Sequence, residues 1–422
     1  MKFLDTGEKI KKLRKELKIK QEELNSVGVS RNFISMIENG KRKLPKHVAI
    51  KLIEIFKTKA NEMGIKLEID EQWLLTSAKE QAINFCNEKL ASDLSIEDID
   101  LIIELIKDYN IKELIPKVYV LKANDLYDKR LYEEAFTYYY EILECVHGES
   151  EEKSFIYNKL SKCKIMMLNY VEAITYLNKC YEYCTVNGDI KNKKNCLYNM
   201  AFSYQKLDNI DLALSCINSY IKLCDIQVEF KEYMGAIILK VNCYILSKEY
   251  QLAIDTATDA INKIHDSENL YLGYLYNSLG VLYTEVNDFD KALSYLEKAE
   301  AIRLQQDSYN LSHTILNKAK IFIKQENIEE ALQLINKTIA LAETHNDYEF
   351  IIESYELLEK LYVDLKRNGE LINTYLKMIN LFNKMSKKDE ALKIYVKLLS
   401  LTIESKDSDE YKYYLREAMK LV

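Results

Sequence analysis

One small residue returns along the middle of the chain at an almost constant interval: Ala135, Ala173, Ala213, Ala253, Ala292 and Ala331, spaced by 38, 40, 40, 39 and 39 residues. A period of that size is produced by helical hairpins stacked one on the next, the small residue sitting where the two helices of a hairpin cross. No hairpin buries its apolar face alone, so the array must continue over several units and end in a cap. Composition agrees: 10 Gly and 2 Pro in 422 residues, with 48% apolar residues, predict an all-α chain.

The clearest unit runs from Tyr276 to Ala299. Tyr276, Leu279 and Tyr283 line one helix, Asn287 and Asp288 make the turn, and Ala292, Leu296 and Ala299 line the return helix. This resembles the tetratricopeptide repeat, lengthened beyond its usual period, and the resemblance implies a right-handed superhelix with a concave groove. About seven such units fill residues 116 to 385; in the seventh, Asn368-Gly369 is the expected turn and Leu371 replaces the alanine. Ser386 to Asp389 is expected to break the pattern, leaving residues 386 to 422 as capping helices, the last carrying Tyr411, Leu415, Ala418 and Val422 at helical spacing.

Counting back from each repeat alanine locates a polar row. Asn124 and Asn242 lie 11 residues before it, Asn199 and Asn317 lie 14 before, and Asn158 and Asn277 lie 15 before. Those offsets share one helix face, opposite the apolar stripe of Tyr157, Leu160, Leu197, Met200, Tyr204, Tyr276, Leu279 and Tyr283, and are expected to face the groove. An Asn amide can accept and donate at once, so a row of them suits the backbone of an extended peptide; an Asn-rich composition would also scatter amides over any exposed face. Beside the row, Tyr198, Phe202, Ile238, Tyr274 and Val281 offer apolar pockets, and Lys162, Lys206, Lys320 and Lys324 offer partners for a carboxylate.

The N-terminal segment has a different character. Residues 1 to 60 carry 16 Lys and Arg against 7 Asp and Glu, a net of +9 in a chain whose total is −7, which places a polyanionic partner at this end. Residues 21 to 45 read QEELNSVGVSRNFISMIENGKRKLP. A short helix over Gln21 to Leu24, a turn at Ser26-Val27-Gly28, and a second helix capped by Ser30, running to Asn39 and closed by Gly40, are expected. Val29, Phe33 or Ile34, and Ile37 would be buried. Ser30, Arg31, Asn32 and Ser35 would then face outward, able to reach base edges, with Gln21, Lys41, Arg42 and Lys43 on phosphates. With Ile10, Leu13 and Leu17 before it and a Pro45-initiated helix bearing Val48, Leu52 and Ile55 after it, the segment resembles the Cro/repressor or Xre type of helix-turn-helix. Its turn, six steps from Leu24 to Ser30, is shortened as in the Rgg group.

The organisation is therefore residues 1 to 62 as a helix-turn-helix DNA-binding domain, 63 to 115 as a helical connector, then the repeats and the cap. Within the connector, residues 64 to 69 are expected to be extended, two helices to follow, and Trp73 to fill core. Nine scattered cysteines without CxxC, five dispersed histidines, and the absence of GxGxxG, GKS/GKT and HExxH motifs point to no metal, no cofactor and no catalytic role. No apolar run approaches the roughly 18 residues of a membrane span, so a cytoplasmic protein is expected.

An Xre-type reader joined to a tetratricopeptide array resembles the RRNPP family of Gram-positive quorum-sensing regulators. The resemblance implies a homodimer on an inverted-repeat operator in double-stranded DNA and a re-imported oligopeptide in the groove. Binding would act by population shift, altering superhelical curvature. Two alternatives remain open: a scaffold regulator that binds a partner protein in the groove, and a phosphorelay modulator of the Rap kind, for which residues 63 to 115 offer the surface.

Overall fold

The computed structural model describes residues 1 to 422 except 93, 147 to 150, 266 to 268, 404 to 407 and 422. Val422, expected on the last helical face, thus lies outside the described residues. Among these, every regular element is helical. The chain divides into two compact units, Met1–Ile156 and Tyr157–Val422. The division falls inside the segment expected to be one repeat array.

The first unit opens with α1 (Thr6–Glu16), a 3-10 turn (Glu23–Val27), α2 (Arg31–Glu38) and α3 (Lys46–Glu62). Next come α4 (Glu71–Leu75), α5 (Ala78–Leu90), α6 (Ile96–Tyr109), α7 (Ile115–Asp128) and α8 (Tyr132–Cys145). The connector holds three helices where two were expected, and residues 65 to 70 pair with no strand. It is bound to the head: Asp5 Oδ1 accepts from the Ala78 N–H at 2.8 Å and Gln81 donates to Leu4 O at 2.8 Å. The buried Lys9 ammonium donates to Trp73 O and Thr76 O at 2.5 and 2.6 Å and lies 4.9 Å from the Trp73 ring. Trp73 itself is 38% exposed. Leu74, the next residue of that short helix, takes the core place expected for the indole.

From α9 (Glu151–Met166) onward the helices alternate as hairpins: α10 (Tyr170–Asn187), α11 (Ile190–Lys206), α12 (Ile210–Lys222), α13 (Phe230–Leu246), α14 (Tyr250–Asn262), α15 (Leu270–Glu285) and α16 (Phe289–Gln306). The series continues through α17 (Ser308–Lys324), α18 (Ile328–His345), α19 (Tyr348–Asp364), α20 (Asn368–Lys384), α21 (Lys388–Leu401) and α22 (Asp409–Met419). The repeat alanines are fully buried, and Leu371 is buried in the seventh place. At Gly280 the crossing leaves no room for a side chain: a Cβ there would stand 2.6 Å from Leu296 Cδ2.

Every hairpin turns in the same way. Arg130, Leu168, Asp208, Lys248, Asn287, Glu326, Lys366 and Ser386 adopt left-handed φ of 55° to 63°, each five residues before a repeat alanine or its replacement. The following N–H donates back to a carbonyl five residues earlier, as Asp288 does to Tyr283 O at 2.9 Å, so the last turn of the preceding helix is closed. No turn residue is glycine, so each carries a local cost of about 1 kcal/mol that the packed hairpin offsets. The rule corrects one expectation: the seventh turn sits at Lys366, with Asn368-Gly369 already inside α20. At Ser386 the period changes, as expected: the same turn geometry returns after one helix, α20, in place of two, with Ala391 fully buried five residues on.

Within the second unit, contacts also join distant repeats. The Lys206 ammonium pairs with Glu349, 143 residues away, and Lys387 donates to Leu168 O at 3.4 Å across 219 residues.

Candidate functional site

The reading helix is held from three sides. Ser30 Oγ caps it, accepting from the Phe33 N–H at 3.3 Å, and Gly40, at φ 68°, ends it. Ile34 and Ile37 seat it in a core with Ile10, Leu13, Val48, Leu52 and Phe56, while Val29 and Phe33 pack at the margin. Of the open pair, Ile34 is the fully buried member. Backbone meets backbone at Gly7, where a Cβ would fall 2.2 Å from Ile37 O.

A buried carboxylate supplies the third hold. Glu38 accepts from Arg14 Nε at 2.6 Å and Nη2 at 3.1 Å, and from Gln21 Nε2 at 2.7 Å. The bidentate carboxylate holds the Arg14 guanidinium above its usual pKa. Gln21, expected on a phosphate, is turned inward as part of this cluster. The expected helix over residues 21 to 24 is a 3-10 turn displaced to Glu23–Val27 and ended by Gly28 at φ 87°.

What remains outward is compact. Ser30, Arg31 and Asn32 are exposed and Ser35 is half-exposed. Arg31 Nη1 lies 3.0 Å from Glu22 Oε1 on the surface, a contact that solvent screens and an anion can displace. Lys41, Arg42 and Lys43 are all exposed in the loop that follows.

In the second unit a hollow of about 230 Å³ is lined by Val281, Thr284 and Glu285 of α15, Asn317, Lys320, Ile323 and Lys324 of α17, and Leu357 of α19. Only first helices contribute, so these form the inner wall. The asparagines do not stand singly. Asn199 donates to Asn158 Oδ1 at 3.2 Å and Asn317 to Asn277 Oδ1 at 3.3 Å, while Ser278 donates to Asn242 Oδ1 at 2.6 Å. In the first unit, Tyr139 donates to Asn124 Oδ1 at 2.7 Å. Asn158 and Asn317 are 4% and 8% exposed, so part of the row lies within the packing rather than off it.

Tyr274 differs from the open apolar pocket expected. Its hydroxyl donates to Asp307 at 2.8 Å and accepts from Asn310 at 3.1 Å, with the Arg303 guanidinium 4.9 Å from the ring. Arg303 is buried and donates to Thr314 Oγ1 at 2.7 Å, and Thr314 in turn donates to Asn277 Oδ1 at 3.1 Å. Burial pulls the guanidinium pKa down to about 10. The chain of bonds reaches Asn317, Lys320 at 3.4 Å, and Glu353 at 2.6 Å from Lys320. Tyr198 and Phe202 are half-buried, with Lys206 over the Phe202 ring at 5.3 Å, and Ile238 and Val281 pack at the edge of the core around Met234 and Leu279.

Sequence reasoning missed Arg14, Glu38, Arg303, Glu349 and Glu353. The signal for the last two was available: Glu349, Glu353 and Leu357 recur at a four-residue spacing on one face of α19. Cys180 and Cys184 are buried with Sγ atoms 3.8 Å apart; the Cys184 contact lowers the Cys180 pKa, but the contact with Cys196 and then burial outweigh it and hold the thiol above its usual range. Among the described residues no three His, Cys, Asp or Glu side chains gather as a metal site, and no helix is long and apolar enough to cross a membrane.

Residues 7–80 match the model of a helix-turn-helix domain, and residues 275–308 that of a tetratricopeptide repeat. The chain thus joins a helix-turn-helix domain to tetratricopeptide-type helical repeats. Among solved structures, similar folds include NprR in complex with its cognate peptide NprX, at 20% identity and a TM-score of 0.53 over 81% of this chain and 98% of that one. A Rap protein complexed with competence and sporulation factor gives 13% identity and a TM-score of 0.51, again over 81% and 98%. At such identities the likeness is one of fold. A lipopolysaccharide assembly protein B of Escherichia coli strain K12 is 22% identical over 137 residues, 32% of this chain. The chain spans about a third (33%) of that curated relative's length.

Proposed function

We propose that this chain is an RRNPP-type transcription regulator that reads double-stranded DNA through α2 and takes a short signalling peptide onto the inner wall of its repeats, as in quorum sensing. The observation that carries the reading is the outward Ser30, Arg31, Asn32 and Ser35 face on a helix fixed by cap, core and buried carboxylate, in a segment of net charge +9. A rigid helix presenting donors and acceptors beside an exposed basic loop is what direct base readout requires. On the second unit, an inner wall combining amides, apolar surface and ammonium groups supports an oligopeptide as ligand, and the fold shared with a peptide-bound NprR supports it further. A homodimer on two inverted half-sites in the cytoplasm completes the proposal.

Retention of DNA fragments from upstream of its own locus at low salt tests the first half, with footprinting to locate paired half-sites; no retained fragment would remove the regulator reading. Of the alternatives, the phosphorelay role would draw on residues 63 to 115, whose glutamines are Gln72 and Gln81; Gln81 is committed to Leu4 O, Thr76 O and Ser77 O.

A further inference from the structure

The inner wall of the second unit carries four lysines on its first helices, and three come with a counter-ion from another helix. Lys206 pairs with Glu349, Lys320 with Glu353 at 2.6 Å, and Lys324 with Glu285 at 3.2 Å. The fourth, Lys162 of α9, has no carboxylate within ion-pair distance and no hydrogen bond among the described residues, yet it is half-buried. Its register is that of the wall: it lies 11 residues before Ala173, as Val281 and Lys320, which line the hollow, lie 11 before Ala292 and Ala331. One turn before it on the same face is Asn158, bonded to Asn199 of α11, and Phe202 holds the same register as Lys162 on that neighbouring helix.

A half-buried ammonium without a partner is costly, and its lowered pKa has burial as its cause. Each of its three siblings has that cost met from within the chain. We infer that Lys162 is the anchor for a carboxylate of the ligand, with the Asn158–Asn199 pair beside it for the adjoining peptide group and Phe202 for an apolar side chain. The inference rests on the peptide reading above and narrows it: the ligand is an oligopeptide that presents a carboxylate at the α9 end of the wall. That carboxylate is either the free C-terminus or an acidic side chain.

The test uses the full chain and three pools of random heptapeptides: free acids lacking Asp and Glu, C-terminal amides lacking Asp and Glu, and C-terminal amides containing them. Retained peptides are quantified by mass spectrometry after equilibrium dialysis. The free acids are expected to be retained about tenfold or more over the first amide pool, the gain of a charge-assisted hydrogen bond. The preference should vanish in Lys162→Met and persist in Lys162→Arg. Recovery of binding by the third pool would support the anchor and assign it to an acidic side chain. Equal retention of all three pools overturns the anchor while leaving the groove a peptide site; retention of none overturns both. A ligand-free readout guards against misfolding: Lys162→Met keeps the apolar stem and removes the uncompensated charge, so it should melt higher than the parent, and a lower melting point would refute the premise.

Discussion

Replacing Gly7 by Ala should unseat the DNA-reading helix. Two effects of opposite sign compete. Alanine favours a helix over glycine by up to about 1 kcal/mol, and Gly7 lies in the first turn of α1. Against this, the new Cβ would meet Ile37 O at 2.2 Å and Glu38 O at 3.1 Å. Both are backbone atoms at the C-terminal end of α2, so no side chain can rotate away, and relief requires α1 to withdraw by roughly an ångström, opening the core between Ile10 and Ile37. Overpacking of this kind costs about 1 to 3 kcal/mol, and a rigid backbone contact belongs at the upper end. The net expectation is a loss of about 1 to 2 kcal/mol in the first unit, together with weakened DNA retention. The single tryptophan, Trp73, lies in that unit, so its fluorescence during denaturation follows the unit directly. Gly369→Ala is the internal control. It lies in the first turn of α20 with nothing within 4 Å of the new Cβ, so the same substitution should be neutral or stabilising there. If Gly7→Ala unfolds at the same denaturant concentration as the parent and holds DNA equally, the close packing of α1 on α2 is not what positions the reader.

Three further outcomes are expected. Arg31→Ala should cost about 1 to 3 kcal/mol on a cognate operator and relax sequence preference, whereas Lys43→Ala should weaken all DNA alike; competition with unrelated duplex separates them. Asn317→Ala removes the bond to Asn277, but Thr314 still serves Asn277 and Glu353 still holds Lys320, so a stability loss near 1 kcal/mol is expected, read by thermal melting; no loss would place Asn317 outside the packing. His313 is stacked on Phe350 at 3.5 Å and bonded to Asp347 at 2.7 Å, and burial holds its pKa below the ordinary 6.5. The unfolded chain therefore binds the proton first as pH falls, so the second unit should lose stability from about pH 6.5 downward, and His313→Gln should flatten that slope. A slope unchanged in the variant would assign the loss to other groups.

The repeat was legible because alanine at a helix crossing is dictated by space, and the same count located the inner wall through Val281, Lys320 and Asn317. The capped reading helix was legible because Ser30 and Gly40 are local signals. What the sequence hid depends on distance. Glu38 looks like surface until Arg14 and Gln21 close on it, and Tyr274 looks apolar until Asp307 and Arg303, 33 and 29 residues on, reach its hydroxyl and ring. Trp73 was misjudged because a five-residue helix has one buried place, and Leu74 took it. The asparagines were found but not their pairing, since a one-helix register is blind to the neighbour in the next hairpin.

The bonds from Lys206 to Glu349 and from Lys387 to Leu168 alter the kind of object the second unit is. A solenoid behaves as a one-dimensional array, each repeat answering only to its neighbours, so it frays from either end at little expense. Here the early repeats hold the late ones directly. Loss of α19 to α22 would be felt at α9 and α11 without passing through the hairpins between, and unfolding from the C-terminal end would first have to break a tie made four hairpins upstream. The array should melt more nearly as one body than its repeats suggest, and a strain applied at one rim has a second, shorter route to the other.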